Sequence, residues 1–194
     1  MARTQAADYD KKREAITIAA AELFGEKGFA SASISELAAA CGFSKSLIYH
    51  YYQSKEDILF EVMDDHINGL LNVIRTHDAA VKNPADSLQT LSRELLRHYV
   101  GSENAQKVLL YELDALPENR RKEIVAKQRN IVTAVREIIA AASPTLSKDT
   151  ARLRAKVMLY FGMLNWTHNW FKPSGGLSRD DLADLAAETI LASN

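Results

Sequence analysis

Hydrophobic side chains recur every three to four residues along most of the chain, which is the period of an α-helix. The first such stripe predicts a helix over about residues 9–27, and Gly28 follows it in the position of a helix C-cap. The inward positions of this helix are Ile16, Ala20, Leu23 and Phe24. Residues 1–8 precede the stripe and are predicted to form a frayed arm.

Serine residues mark the starts of the next two helices. Ser33 and Glu36 have the spacing of a capping box and open helix two, which Gly42 ends. Ser44 then caps a very short third helix over residues 45–51. These signals are local chemistry rather than periodicity alone, and they predict a compact N-terminal unit of three helices.

The pattern lengthens after this unit. A fourth helix is predicted to begin at Ser54 and to continue to about Ala80. Five further helices are predicted over residues 85–100, 103–115, 117–142, 147–171 and 178–192. The four prolines all fall at predicted boundaries, where proline is tolerated. The sequence therefore predicts an all-α chain of about nine helices, in which a larger helical bundle follows the small unit.

Composition excludes several classes. The chain has only 8 glycines and 4 prolines, whereas a β-sandwich or barrel needs a turn every several residues. A single cysteine, Cys41, excludes an intramolecular disulfide and a multi-cysteine zinc site. The N-terminus lacks an apolar signal region, and the apolar stretches are too short to span a bilayer. We therefore expect a cytoplasmic protein with no membrane partner.

Helix two, the Gly42 turn and helix three have the arrangement of a helix-turn-helix motif. On a helical wheel, Leu47, Ile48 and Tyr51 can pack inward. Four polar side chains are then left facing outward: Lys45, Ser46, Tyr49 and His50. The major groove of DNA accepts a helix with such a face. The alternative is an ordinary solvated surface, but the capped and glycine-turned context favours DNA reading.

Charge supports this interpretation only through its placement. The whole chain carries a net charge of -1, and residues 1–55 contain seven basic and six acidic residues. The basic residues concentrate at the starts of helices one, three and four, which can converge on one phosphate backbone. Lys55, in the first turn of helix four, is predicted to contact a phosphate. Its alternative is an ordinary solvated lysine.

Four segments carry a family resemblance: residues 19–29 (AAAELFGEKGF), 34–38 (ISELA), 42–52 (GFSKSLIYHYY) and 54–59 (SKEDIL). Together they resemble the DNA-binding domain of the TetR family of repressors, over roughly residues 12–62. The resemblance implies a dimer that binds operator DNA and a C-terminal bundle that holds a small effector. We accordingly assign residues 1–55 to a DNA-binding domain and residues 56–194 to a ligand-binding and dimerisation domain.

The same resemblance implies which residues contact double-stranded operator DNA. The matching positions are Ser33, Ser35, Lys45, Ser46, Tyr49, His50 and Lys55. The family commonly has a smaller residue in place of Ser46 and often threonine in place of Leu47. Leu47 therefore keeps two alternatives, contact with a thymine methyl group or packing against the DNA backbone, and the base specificity does not carry over.

A second resemblance lies near the C-terminus. Residues 160–173 (YFGMLNWTHNWFKP) and 175–178 (GGLS) resemble the branch of the family whose members respond to acyl-CoA thioesters. This implies a small hydrophobic or acyl-CoA-type effector. No cofactor is expected to be required.

Large apolar residues surround the eighth helix on more than one face, so we expect it to be buried on both sides. One face can line a pocket, and the other can pair with helix nine in a four-helix interface between two subunits. The predicted dimer-interface residues are Trp166, Trp170, Leu182, Leu185, Ala186 and Ile190. The alternative is that the two tryptophans fill the core of the monomer.

The effector pocket is expected among helices four to eight. Its candidate lining is mostly apolar with a few polar tips, as ligand sites are. The candidates are Ile67, Leu70, Leu71, Leu95, Tyr99, Leu110, Tyr111, Phe161, Asn165 and Trp166. Each of them, taken alone, also fits an ordinary core position.

Enzymatic function is not supported by the sequence. Asp64 and Asp65 are consecutive on a helix and diverge, which does not suit acid–base partnership, and the histidines show no metal-binding spacing. We predict no catalytic residue and no metal site. The sequence thus predicts a ligand-responsive, dimeric repressor of palindromic operators. The alternatives are a helix-turn-helix regulator without a ligand and a helical adaptor protein.

Overall fold

A computed structural model describes residues 2–77 and 83–192, with side chains from residue 8 onward. These residues form helices and no strand, so the predicted all-α class is confirmed. The α-helices are α1 (Ala2–Lys27), α2 (Ile34–Cys41), α3 (Lys45–Tyr51), α4 (Lys55–Thr76), α5 (Pro84–His98), α6 (Glu103–Tyr111), α7 (Glu118–Ala142), α8 (Thr150–Asn165), α9 (Thr167–Trp170) and α10 (Arg179–Ala192). Two 3₁₀ turns cover Leu113–Ala115 and Leu146–Lys148.

The first helix is longer than the sequence predicts. It begins at Ala2 rather than at about Tyr9, so the arm predicted for residues 1–8 is helical from its second residue. This segment contains neither glycine nor proline, and its alanines and long unbranched side chains propagate a helix. Asp8 and Lys12 add an ion pair of 2.7 Å across one turn.

Two other boundaries differ from the prediction. The eighth predicted helix is divided, because α8 ends at Asn165 and the single turn α9 begins at Thr167. The Thr167 hydroxyl donates a 2.7 Å hydrogen bond to the carbonyl of Leu164, which satisfies one of the last carbonyls of α8. The fourth helix ends at Thr76, whereas its predicted end at about Ala80 lies outside the described residues.

The chain divides into two compact units. The first comprises the described residues up to Ile67 together with Ser102–Val125, and the second comprises Asn68–Gly101 together with the described residues from Ala126 onward. The helices α4 and α7 therefore each contribute residues to both units. The boundary predicted at residue 55 is drawn by expected function and does not coincide with a boundary between the two units. As a division of function it stays a prediction.

In the first unit, α1 packs against α2 and α6. Phe24 is buried on α1, and its ring lies edge-on to Phe29 with 5.3 Å between the ring centres. Apolar side chains from α2 and α3 complete this core, among them Leu37 and Ile48, both fully buried. Burying such side chains stabilises the two short helices α2 and α3, which would not persist separately.

In the second unit, α5 packs along α10. Their contact is apolar inside, with Leu88, Leu91 and Ile190 buried. At the edge, Arg93 binds both carboxylate oxygens of Asp184, at 2.7 and 2.5 Å, and Arg97 pairs in the same way with Asp180. These bidentate pairs hold the two helices in one register.

The start of α2 is the predicted capping box. The Ser33 hydroxyl oxygen accepts a hydrogen bond from the Glu36 amide at 3.3 Å, and the Ser33 amide donates to the Glu36 carboxylate at 2.9 Å. The Lys27 ammonium also binds this carboxylate. Lys27 and then Ser33 therefore lower the pKa of Glu36 from its usual 4.5 to about 2.

This lowered pKa makes the capping box sensitive to acid. The ionised form of Glu36 is the one that folding stabilises, so its contribution is present above pH 4.5 and is lost as the pH falls toward about 2. We expect Glu36→Gln to be less stable than the wild type at neutral pH and the difference to shrink over that interval. Urea unfolding at a series of pH values measures it.

Lys27→Met is the matched control for this measurement. It removes the largest cause of the lowered pKa of Glu36, so that pKa should lie closer to its usual 4.5. The stabilising contribution of Glu36 should then disappear over a narrower pH interval, which ends above pH 2. A stability difference between Glu36→Gln and the wild type that stays constant from neutral pH down to about 2 would contradict the assignment.

Candidate nucleic-acid interface

The turn between α2 and α3 has the geometry of a helix-turn-helix. Gly42 adopts a left-handed conformation, with φ of 68° and ψ of 27°, which favours glycine because it lacks a Cβ. The Phe43 amide donates a 2.8 Å hydrogen bond back to the carbonyl of Ala38, which closes the end of α2. Ser44 then caps α3, and its hydroxyl accepts from the Leu47 amide at 3.2 Å.

The two faces of α3 differ as the sequence predicts. Ile48 is fully buried, and Leu47 and Tyr51 are half-buried. The four polar residues expected to face outward are exposed: Lys45, Ser46, Tyr49 and His50. The largest of these side chains, Tyr49, exposes 53% of its surface. The helix therefore presents an ammonium group, two hydroxyl groups and an imidazole ring to solvent. These groups can donate hydrogen bonds to base edges and to phosphates.

Ring contacts and a buried hydrogen bond fix the orientation of α3. The ring of Tyr51 lies 4.6 Å from that of Tyr9 on α1, between ring centres. Tyr52, which directly follows α3, is buried, and its hydroxyl lies 3.0 Å from the Thr17 hydroxyl. These contacts attach the end of α3 to α1, so the exposed face cannot rotate without breaking them.

The two serines predicted for the start of α2 lie at the surface. Ser33 and Ser35 are both exposed. The Ser33 hydroxyl is already engaged with Glu36, to which it donates at 2.8 Å. The contact of either serine with DNA stays a prediction.

Lys55 has a structural role that the sequence did not indicate. Its ammonium donates to the carbonyls of Phe29 and Ala32, at 2.7 and 2.9 Å, and lies 4.2 Å from the centre of the Phe29 ring. Because an ammonium has three donors, at most one is left for a phosphate. These partners are more than twenty residues away in sequence, and no local pattern could have found them.

Glu112 is a second residue that the sequence analysis missed. It follows α6, and its carboxylate accepts a 3.1 Å hydrogen bond from the Phe29 amide. The loop that leads into α2 is therefore held by side chains from two other parts of the first unit.

In the second unit, an open apolar groove of about 510 Å³ lies among α8, α9 and α10. Five of the six residues predicted for the dimer interface line it: Trp166, Trp170, Leu182, Leu185 and Ala186. Trp166 and Trp170 expose 57% and 52% of their surfaces, so the alternative that they fill the monomer core is wrong. Ile190 is buried instead, and its carbonyl accepts a hydrogen bond from Lys156 at 2.7 Å.

The residues predicted to line the effector pocket are spread over both units. Ile67, Leu110 and Tyr111 belong to the first unit, and the other seven belong to the second. Four of the ten are buried: Ile67, Leu70, Leu95 and Tyr99. Tyr111 instead exposes 59% of its surface. The clearest association among them joins Tyr99 and Asn165, whose side chains share a 2.8 Å hydrogen bond.

A second open depression of about 390 Å³, which we call the cavity, lies in the second unit between the end of α4, the start of α5 and the middle of α7. Its walls are mainly apolar: Ile74, Pro84, Leu91, Ala134, Ile138 and Ala141. His77, Ser87 and Glu137 supply polar groups. The His77 ring is fixed on both sides, by Glu94 at 2.8 Å and by Ser87 at 2.9 Å. None of the residues predicted for the effector pocket lines this cavity.

The described residues provide neither a metal site nor a membrane-spanning helix. Among residues 2–77 and 83–192, histidine, cysteine and carboxylate side chains do not gather in threes where a metal ion could be held. Across the same residues, every helix is too short or too polar to pass through a bilayer.

Two family profiles match this chain. Residues 16–62 match "Bacterial regulatory proteins, tetR family", and residues 81–193 match "Tetracyclin repressor-like, C-terminal domain". The repressor KstR2 of Rhodococcus jostii RHA1 is 25% identical over 182 residues, which is 89% of this chain and 85% of that protein. Two other curated regulators, from Bacillus subtilis and Mycolicibacterium smegmatis, match over only 39% and 54% of their own lengths.

Solved structures of TetR-family regulators are similar to this chain over most of its length. A TetR-family transcriptional regulator from Bordetella parapertussis 12822 has a TM-score of 0.87 and 35% identity, covering 92% of this chain and 93% of that one. AibR, in complex with isovaleryl coenzyme A and operator DNA, has a TM-score of 0.77 and 26% identity, covering 92% and 97%. Since these matches include the helix-turn-helix and the bundle alike, the chain belongs to the TetR family of bacterial transcriptional regulators.

Proposed function

We propose that this chain is a homodimeric repressor that binds palindromic operator DNA through α3 and is released by a small-molecule effector. The observation that carries the proposal is the exposed polar face of α3, held by a capped glycine turn in a chain of the TetR family. A regulator of this kind acts in the cytoplasm, where the chromosome lies.

DNA reading follows from the geometry of this face. A short helix can enter the major groove with its N-terminal end toward the base edges, which brings Lys45 and Ser46 close to them. Tyr49, one turn further along, is placed to contact a base or the backbone. Two such helices in a symmetric dimer contact half-sites about 34–36 Å apart, which explains a palindromic target.

Dimerisation is supported by the apolar groove. Exposed tryptophans beside exposed leucines are costly in water, and a second copy of the same groove supplies a matching surface. Two helices from each subunit then form a four-helix interface. The groove is lined by residues from α8, α9 and α10, the same part of the chain on which the sequence predicts the interface.

The effector site is assigned to the 390 Å³ cavity. Its apolar walls and few polar groups suit the acyl part of a short-chain thioester, and its volume lies within the range of ligand sites. AibR, a solved neighbour, is a complex with isovaleryl coenzyme A. α4 and α7 both line this cavity and both continue into the first unit, so a ligand that prefers one arrangement of these helices can change operator affinity about 5–150-fold.

DNA reading by α3 can be tested at Lys45. Replacing it with alanine removes an exposed ammonium from the reading face, so operator binding should weaken. The slope of the logarithm of the binding constant against the logarithm of salt concentration should also become shallower by about one, as expected for one lost phosphate contact. Titration of a labelled duplex at several salt concentrations measures both. The duplex is selected from a random library with the wild-type protein.

Lys148→Ala is the matched control, because it removes the same charge from an exposed position in the second unit. Its operator affinity should equal that of the wild type. Equal losses in the two variants would attribute the effect to net charge and reject the interface. A wild-type protein with no salt-dependent duplex binding would favour the helical adaptor.

The apolar groove can be tested by introducing one charge. Leu185 exposes half of its surface and lines it, so Leu185→Asp would place a charge inside the proposed interface. We expect the variant to be monomeric in sedimentation or light scattering and to lose operator affinity at low protein concentration. Val100→Asp changes an equally exposed residue outside the groove and should remain dimeric.

The cavity can be tested by filling part of it. Ala134 lies on its wall, so Ala134→Phe fills part of the space while leaving α3 unchanged. Operator affinity should persist, whereas release by isovaleryl coenzyme A and by other short acyl-CoA thioesters should be lost. Ala126→Phe, an exposed position on the same helix outside the cavity, should respond as the wild type does. If the wild type responds to none of them, the acyl-CoA assignment fails, which leaves another small hydrophobic effector or a regulator without a ligand.

A further inference from the structure

The loop between α1 and α2 is held from two directions at one residue. The Phe29 amide donates to the Glu112 carboxylate at 3.1 Å, and the Phe29 carbonyl accepts from the Lys55 ammonium at 2.7 Å. Lys55 begins α4, and Glu112 follows α6. The backbone of Phe29 is therefore fixed relative to both helices, four residues before the N-cap of α2.

The end of α1 offers this loop little freedom. Gly28 has a φ of 82°, and a Cβ built on it would lie 3.4 Å from the Glu112 carboxylate oxygen. The Phe29 side chain is buried against Phe24. The Phe29 amide is consequently part-buried, and a lost acceptor would leave it without an equivalent partner.

Helix α6 is also pressed directly against α1. A Cβ built on Gly25 would lie 2.7 Å from the Asn104 Cβ and 2.9 Å from the Asn104 Cα and carbonyl oxygen. The two helices therefore approach each other too closely at Gly25 to admit even a methyl group. A shift of α6 at this point would require α1 to move as well. The carboxylate of Glu112 extends this contact from α6 to the loop.

We infer that Glu112 is a positioning residue for DNA recognition, which ties the end of α6 to the loop that sets the start of α2. The inference rests on the proposed DNA-binding function and deepens it. The segment Ser102–Val125, which carries Glu112, is continuous at both of its ends with the second unit, where the effector is proposed to bind. A change in that unit can therefore reach the reading helix through α6 and Glu112 as well as through α4.

Charge and geometry predict opposite results for Glu112. A carboxylate near DNA repels phosphates, so a purely electrostatic role predicts tighter operator binding when the charge is removed. A positioning role depends instead on an oxygen atom at the right distance from the Phe29 amide. Glu112→Gln removes the charge and keeps such an oxygen. Glu112→Asp keeps the charge, but its side chain is shorter by one methylene group, so its oxygen atoms lie farther from the Phe29 amide.

The experiment compares these two variants in the full-length protein, with an operator duplex selected from a random library by the wild type. We expect Glu112→Asp to bind the duplex about tenfold more weakly, as expected for one lost hydrogen bond to a part-buried amide. Glu112→Gln should stay within about threefold of the wild type, because its amide oxygen still accepts the bond. Asp114→Asn, two residues away and with a side chain 95% exposed, is the charge control and should not lose affinity.

Hydrogen exchange at the Phe29 amide supplies a second measurement that does not require DNA. It should be faster in Glu112→Asp and close to wild type in Glu112→Gln. Thermal unfolding checks that both variants are folded, and a variant that binds weakly with unchanged protection at Phe29 overturns the inference. So does wild-type affinity in Glu112→Asp, or an equal loss in Glu112→Gln.

The inference and the proposed function fail separately in this design. If the wild type selects no duplex, the proposed DNA binding fails, while the exchange rates still decide whether Glu112 holds the loop. If operator binding is strong and follows charge rather than geometry in the variants, the proposed function stands and the role of Glu112 is rejected.

Discussion

A helix of seven residues is not stable by itself in water, so α3 depends on what holds it. Ser44 caps its start, Ile48 anchors its buried face, and Tyr52 attaches its end to α1. These constraints leave one face free of internal packing and nevertheless fixed in direction. Under the proposed function, that combination limits the entropy lost when the helix enters a groove.

The loop before α2 is subject to the same requirement. Its backbone groups are satisfied by Lys55 and Glu112 rather than by water, so its conformation is set by the helices that carry these residues. The first unit includes the first part of α4, α6 and the start of α7 in addition to the three N-terminal helices. The reading helix and the segment around α6 belong to one packed body.

Much of the fold was predictable because its signals are local. Ser33, Gly42 and Ser44 act on atoms within a few residues of themselves, and the structure has each of them as a cap or a turn. The partners of Lys55 and Glu112 are 26 and 83 residues away, and such pairs depend on packing that periodicity does not encode. The start of α1 was misplaced because an apolar stripe marks burial, whereas a helix of good formers can extend beyond it.

The candidate pocket shows a different limit. Apolarity selected Leu95 and Ile67, which are buried, but it cannot distinguish a core position from a cavity wall. The 390 Å³ cavity is lined by large apolar residues such as Leu91 together with small or polar ones such as Ala134 and Ser87, and nothing in their spacing distinguishes them from core positions. For the tryptophans, the sequence left two alternatives open, and their exposure, which is a property of the folded chain, rules out the monomer core.

The two arginine–aspartate pairs between α5 and α10 have a thermodynamic consequence. α5 contributes Ser87 and Leu91 to the cavity, and α10 contributes Leu182 and Leu185 to the apolar groove. Because Arg93 and Arg97 join these helices, the proposed sites for ligand and for partner subunit share one mechanical element. Free-energy linkage is reciprocal, so any amount by which a ligand strengthens or weakens subunit association is the amount by which association changes the affinity for that ligand.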